Sequence, residues 1–189
     1  EKKQYICGMK WQVYPYHFEG LEKQLERIHE KKRELDKKRP IPSYVLKSIK
    51  DSLSIEWTYN SNSIEGNTLT LQETKMVIED GFTIKGKSLR EHFEVVNHQE
   101  AIEFVESLAS NEYVLNKLDV LSIHHLVLQK IEKDFAGKYR TSGVRISGAN
   151  FVPPNALKVD EFVSELIDFA NDSEVDILII SAIFHHRFV

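Results

Sequence analysis

The sequence predicts a mainly α-helical fold with one short β-hairpin. Three observations lead there. Punctuation is sparse, with 8 Gly and 5 Pro in 189 residues, which leaves room for long helices. Thr70 with Glu73, and Ser88 with Glu91, each form an S/T-x-x-E pattern at the head of an apolar run, the signature of a capping box. Apolar residues otherwise recur at three- and four-residue spacing, and alternate with polar ones only near residues 144–147.

The elements follow in order. Residues 18–38 are rich in Glu, Lys and Arg, with Leu21, Leu25, Ile28 and Leu35 on one stripe. Pro40 and Pro42 end that helix. Ser43 is the expected cap of a second helix, whose stripe is Leu46, Ile49, Leu53 and Trp57 and which stops near Gly66 or Asn67. Thr70 opens a short helix closed by Gly81. Ser88 opens a long one carrying Leu89, Phe93, Val96, Ile102 and Val105. Leu118, Leu121, His125, Leu128 and Ile131 mark the next, closed by Gly137. Val144 to Ser147 alternates, Gly148-Ala149-Asn150 can turn, and Phe151-Val152 can pair back before Pro153-Pro154. Asp160 is the expected cap of a helix carrying Phe162, Val163, Leu166, Ile167 and Phe169. Residues 175–189 are apolar nearly all round, which predicts a helix buried at the centre of a bundle. The core expected from these periodicities is Trp57, Phe93, Val96, Ile102, Leu121, Leu128, Phe162, Leu166, Leu178 and Ile183.

Composition narrows the class. Twenty-five basic residues against 29 acidic give a net charge of -4, which excludes a nucleic-acid binder built on bulk charge. Nucleic acid would enter only through a further C-terminal part. The one cysteine, Cys7, excludes an internal disulfide framework and a cysteine-based zinc knuckle. It points to a reducing compartment, the cytoplasm. No apolar run approaches the ~20 residues of a membrane helix. The chain opens on Glu1 and closes on Phe188-Val189 inside an apolar helical pattern, so both ends are expected to be cut. Self-association is left open.

Generic catalytic motifs are missing. There is no Gly-rich phosphate loop, no nucleophile elbow and no His-Glu-x-x-His. The pairs His124-His125 and His185-His186 point about 100° apart on a helix, so neither pair alone chelates one ion. The plain expectation is one ring partly buried and one at the surface in each pair. A metal site shared by both pairs is the sharper alternative, and no metal ligand is assigned. Ser61 and Glu65 are four apart and share a helix face. A helix ending in Glu65-Gly66 sets a carboxylate at the negative end of the dipole, which suggests a cationic partner elsewhere.

The pattern Ser61-x-x-x-Glu65-Gly66 resembles the inhibitory motif (S/T)xxxE(G/N) of the Fic family, whose members transfer AMP. Three other segments match in the family's order. Gly137-Lys138-Tyr139-Arg140 resembles its G-x-(F/Y)-R element. Residues 144–152 before Pro153-Pro154 resemble its hairpin flap. Residues 183–189 resemble the helix that leads into its catalytic motif. The likeness covers residues 43–189 as a Fic-type helical domain, and leaves 1–42 as an N-terminal helical arm.

One departure governs mechanism. The family's core motif, HxFx(D/E)GNGRxxR, is absent and would begin a few residues after Val189. In the family its His is the general base, its acidic residue holds magnesium, and its Gly-Asn-Gly turn cradles phosphates. No catalytic residue is therefore assigned in this chain, and His185 and His186 do not take the role.

The resemblance implies ATP and Mg2+ as cofactors, and a protein substrate carrying a Ser, Thr or Tyr hydroxyl. It implies that Glu65, with Ser61 and Gly66, forms an inhibitory helix end whose carboxylate takes the Arg that would otherwise bind the ATP γ-phosphate. It implies that Val144, Arg145, Ile146, Ser147, Phe151 and Val152 form a flap that docks an extended target segment as an added strand. The chain is thus expected to be part of an autoinhibited adenylyltransferase, inactive by itself. The alternative is a non-catalytic interaction module on the same scaffold.

Overall fold

The computed structural model describes residues 16, 20–109, 113–148 and 151–188. Seven α-helices and one 3-10 turn follow in order among them: α1 Glu22–Asp36, α2 Ser43–Ile64, α3 Leu71–Asp80, α4 Leu89–Leu108, α5 Lys117–Leu128, the turn Ala156–Lys158, α6 Val159–Asp172 and α7 Ile177–Phe188. The mainly helical class is as the sequence predicts.

Both expected capping boxes form. The Thr70 hydroxyl accepts from the Glu73 N–H, and the Ser88 hydroxyl accepts from the Glu91 N–H. Each satisfies backbone donors that a helix start leaves orphaned. A third box, Asn116 with Asp119, opens α5. Two expected caps differ. Pro42 takes the cap position before Ser43, and Lys158 the one before α6, neither with a side-chain bond. Asp160 lies instead in the first turn of α6, beside the positive end of the dipole.

Helix α4 is the hub, packed on α2, α3 and α5. Val95 is fully buried there with Leu69 and Val77, flanked by Ile78, Ile84 and Val96. A second core lies between α6 and α7: Leu166, Phe169, Ile180 and Ile183. Ile102, Leu166 and Ile183 are buried as expected, and Phe93, Val96, Leu121, Leu128 and Phe162 are half-buried.

Trp57 and Leu178 depart from that list. Trp57 is 57% exposed, and the whole expected stripe Leu46, Ile49, Leu53 and Trp57 faces outward. Helix α2 docks on α4 through its other face, using small polar side chains that hydrogen-bond across the seam. The Ser54 hydroxyl donates to Gln99 Oε1 at 2.7 Å, and Thr58 Oγ1 lies 3.0 Å from His98 Nδ1. Periodicity finds an apolar stripe but cannot tell which face a neighbour takes. The same holds for α1, which buries no residue.

Leu178 follows from a second correction. Helix α7 is not the buried centre; it packs on α6, so only one stripe, Ile180 and Ile183, is buried. Ile177, Leu178 and Phe188 face outward.

The expected hairpin is the third difference. Among the described residues no strand forms, and residues 143–146 and 152–155 run without ladder pairing. Gly148, at φ +81°, makes a turn there, while Ala149 and Asn150 lie outside the described residues. A lone two-stranded ribbon is marginal in water without a third strand or a helix beneath it. Cys7, the start of the charged helix at residues 18 and 19, and Val189 also lie outside the described residues.

Candidate functional site

The end of α2 is built by its backbone. Glu65 is the last residue near helical geometry, and Gly66 turns to φ +94°, a conformation in which a Cβ is strained. The Gly66 N–H then donates to the Ser63 carbonyl at 3.1 Å, and the Asn67 N–H to the Asn62 carbonyl at 2.9 Å. This is a Schellman closure, and it stops the helix where the sequence predicts.

Asn67 anchors that closure on α4. Its side chain is almost wholly buried. Its Nδ2 donates to the Glu91 carbonyl and to Glu94 Oε2, both at 3.0 Å, and its Oδ1 accepts from the Leu69 N–H. Glu91 Oε1 accepts from Thr68, and Lys87 donates to the Thr68 carbonyl. The bonds from Thr68, then those from Ser88, hold the Glu91 carboxyl down to about 2.

Glu65 projects from this rigid end into solvent, with Ser61 half-buried one turn back. Among the described residues no hydrogen bond or ion pair reaches the Glu65 carboxylate. The cationic partner that its unfavourable dipole position suggests is not in the described part of the chain.

The G-x-Y-R element is built around Gly137. It adopts φ +71°, and a Cβ there would meet His125 Cβ at 3.0 Å and the Leu121 carbonyl at 3.3 Å. Its N–H donates to His124 Nδ1 at 3.1 Å, so that ring nitrogen is an acceptor. Burial pushes the His124 pKa down, which keeps the ring neutral for this bond. His124 is half-buried and His125 exposed, a structural pair. His185 and His186 are both exposed. Among the described residues no group of three or more His, Cys, Asp or Glu can hold a metal ion.

Arg140 ends the element with a role the sequence did not suggest. Its Nη1 donates to the Ser142 carbonyl at 3.1 Å and its Nη2 to the Pro154 carbonyl. One planar guanidinium thus pins both stems of the segment expected to be the flap. Between the stems Val144, Arg145, Ile146, Ser147, Phe151 and Val152 are all exposed, Val152 at 85%. The Tyr139 hydroxyl beside it is buried with no hydrogen-bond partner among the described residues. Desolvation, then the Asp160 charge, raises its pKa.

The two expected site segments are therefore both accessible but separate. Ser61, Glu65 and Gly66 sit at the α2–α4 end, and the flap residues at the α5–α6 connection. No hydrogen bond or ion pair among the described residues joins them. An open groove of about 480 Å³ between α2 and α3, lined by Tyr44, Lys47, Asp51, Ile55 and Lys75 among others, contains neither. The bonds of Asn67 to Glu91 and Glu94, of Thr68 to Glu91 and of Arg140 to Pro154 escaped the sequence reading because each joins residues far apart along the chain. A polar residue directly after a Gly stop was the one local hint.

Comparison with known proteins shows what the chain as a whole is similar to. A family model described as Fic/DOC family matches residues 114–189. The protein adenylyltransferase fic-1 of Caenorhabditis elegans is 35% identical over 138 residues, 70% of this chain and 27% of that protein. The protein adenylyltransferase Fic of Nematostella vectensis is 32% identical over 172 residues, 87% of this chain and 39% of the relative. The solved structure of Fic-1 residues 134–508 from C. elegans has a TM-score of 0.74 at 29% identity, over 87% of this chain and 49% of that one. The chain thus spans between about a quarter and two-fifths of the length of these curated relatives. Among the described residues no helix is long and apolar enough to cross a membrane.

Proposed function

Because the chain belongs to the Fic/DOC family, we propose that it supplies the inhibitory and target-docking parts of a protein adenylyltransferase. The reaction moves AMP from ATP to a protein hydroxyl. The hydroxyl oxygen of a Ser, Thr or Tyr attacks the α-phosphorus, the bond to the β-phosphate oxygen breaks, and pyrophosphate leaves. The hydroxyl proton passes to the His of the family's core motif, beyond residue 189. The family resemblance implies Mg2+, held by the acidic residue of that core motif. None of the roles assigned to this chain runs through the metal.

What supports this reading most is Glu65: a solvent-facing carboxylate on a rigid, backbone-closed helix end, with no partner among the described residues. Its proposed partner is the second Arg of the core motif. While paired to Glu65, that Arg is denied to the γ-phosphate, and the carboxylate repels the phosphate electrostatically. ATP then binds with its α-phosphate out of line, and positioning is most of phosphoryl-transfer catalysis. Ser61 and Gly66 shape the helix end. The exposed residues Val144, Arg145, Ile146, Ser147, Phe151 and Val152 offer backbone to an extended target segment, which adds the strand that this segment lacks by itself.

The test uses a version of the chain extended through the core motif. Incorporation of AMP into itself or a target is measured for wild type, Glu65→Gly and Ser61→Ala, with folding matched by circular dichroism. Glu65→Gly is expected to raise incorporation at least about tenfold, equal to ~1.4 kcal/mol of barrier. Ser61→Ala should raise it less, since it leaves the competing charge in place. Unchanged incorporation for a folded Glu65→Gly variant would make Glu65 an ordinary helix-end residue.

A further inference from the structure

The last turn of α7 is held by a residue from the far end of the chain. Tyr16 Oη lies 3.0 Å from His186 Nδ1, and Arg187 Nε donates to the same oxygen at 3.3 Å. A phenol oxygen accepts from one side and donates its proton to the other. Arg187 donates into the phenol oxygen, which also shares a hydrogen bond with His186 Nδ1. The rings meet edge-on at 5.8 Å and 89°, and the Arg187 guanidinium sits 5.5 Å from the Tyr16 ring centroid. The ring itself is half-buried and packs on the core of Leu166, Phe169, Ile180 and Ile183.

The other end of α7 is held from the same direction. His29 of α1 lies 2.6 Å from Asp176 Oδ2, and Asp176 Oδ1 accepts from the Leu178 N–H in the first turn of α7. Residues 16 and 29 therefore brace α7 at both termini, while α6 packs along its length. Ile180 and Ile183 fix the middle of the helix by burial alone, which tolerates a small slide or rotation. The polar contacts at the two ends are directional and remove that freedom.

We propose that Tyr16 is a positioning residue for AMP transfer: through His186 and Arg187 it fixes the last turn of α7, and hence the take-off of the catalytic loop. This rests on the reading that the family's core motif follows α7. A loop that carries base and phosphate cradle inherits any error in its supporting helix, and a misplacement near 1 Å costs on the order of a hundredfold in rate. The arm before α2 is then part of the catalytic support rather than an appendage.

Tyr16→Phe tests this, since it keeps the ring, its packing and its contact with the guanidinium while removing the oxygen. In the 189-residue chain, amide hydrogen exchange at residues 184–188 should quicken about fivefold. Exchange at Leu166 and Ile167 in α6 should not change. In the extended chain carrying Glu65→Gly, the same substitution should lower kcat about fivefold, with KM for ATP and the thermal midpoint unchanged. His186→Ala should lower kcat similarly, and the double variant should be no worse than either single one. Unaltered exchange at 184–188, equal kcat, or multiplied effects in the double variant would overturn the proposal. If Glu65→Gly transfers AMP and Tyr16→Phe matches it, the bracing role alone fails. If neither transfers AMP, the transferase reading fails and takes this role with it.

Discussion

Thr68 closes on Glu91 with both of its donors: its N–H at 3.0 Å and its hydroxyl at 2.6 Å share Oε1. The other oxygen, Oε2, accepts from the Ser88 N–H at 2.7 Å and the Ser88 hydroxyl at 2.8 Å. One carboxylate thus caps α4 and ties down the chain that leaves α2 just past Glu65. Hydrogen bonds to an ionised acceptor are about twice as strong as neutral ones.

Glu91→Gln keeps the shape but loses the charge and half the acceptors. It should lower stability by about 1–2 kcal/mol, the range of a lost helix cap. Urea unfolding at pH 7 reads this as a lower midpoint at unchanged slope. The pH dependence carries a second signature. The folded pKa, about 2, lies below the ordinary carboxyl value of 4.5, so the unfolded chain binds more protons between them. The stabilisation is fully present above pH 4.5 and is lost as pH falls through about 2. The Gln variant should lack that part of the acid slope. Parallel wild-type and variant curves over this window would show that the four bonds do not matter.

The Glu91 case also shows what the sequence could reveal. Ser88 with Glu91 is a local signal, three residues wide, and it located the start of α4 to the residue. The stop at Gly66 was legible for the same reason, since αL geometry is a property of one residue. Burial was less legible. The stripe from Leu46 to Trp57 marks an apolar face correctly but not its neighbour, and α2 turned out to dock through Ser54 and Thr58. Contacts such as Tyr16 with His186 or Arg140 with Pro154 depend on tertiary placement and leave no periodic trace. The proposed inhibitory and flap residues rest on the motif order, not on local physics.

The α2–α4 seam carries its own prediction. Thr58 is wholly buried, and its hydroxyl meets His98 Nδ1 while Trp57 sits edge-on to the same ring. Burial pushes the His98 pKa below its usual value near 6.5. The folded state therefore binds fewer protons than the unfolded one as pH drops below that value. Stability from this site is present above about pH 6.5 and declines as pH falls toward the lower, folded value. His98→Gln should remove that component, so the gap between its thermal midpoint and that of wild type should narrow between pH 7 and pH 5. Thr58→Val should cost about 1 kcal/mol at pH 7, since it leaves a partly buried ring nitrogen without its partner. A pH-independent gap for His98→Gln would mean that the seam does not sense protonation.

Arg140 allows a test of the proposed flap segment without any catalytic readout. Its guanidinium donates to the Ser142 and Pro154 carbonyls at once, a fork that a Lys ammonium on its flexible stem reproduces poorly. The stems carry no strand pairing among the described residues, and this staple restrains a segment whose apolar side chains are already exposed. Removing it should free the segment while the α4 and α6 cores stay intact. Phe151 is 58% exposed and is a chymotrypsin site, so limited digestion reports the segment directly. Arg140→Ala should quicken cleavage after Phe151 by about fivefold, and Arg140→Lys by a smaller factor. The thermal midpoint should fall by no more than about 2–4 °C, the equivalent of roughly 1 kcal/mol in a chain of this size. Cleavage depends on the population of the open form when opening is fast, so a fivefold rise corresponds to about 1 kcal/mol of lost restraint. Equal cleavage rates for wild type and Arg140→Ala would show that the segment is held by something other than the guanidinium. A large loss of midpoint would show instead that Arg140 supports the helical core.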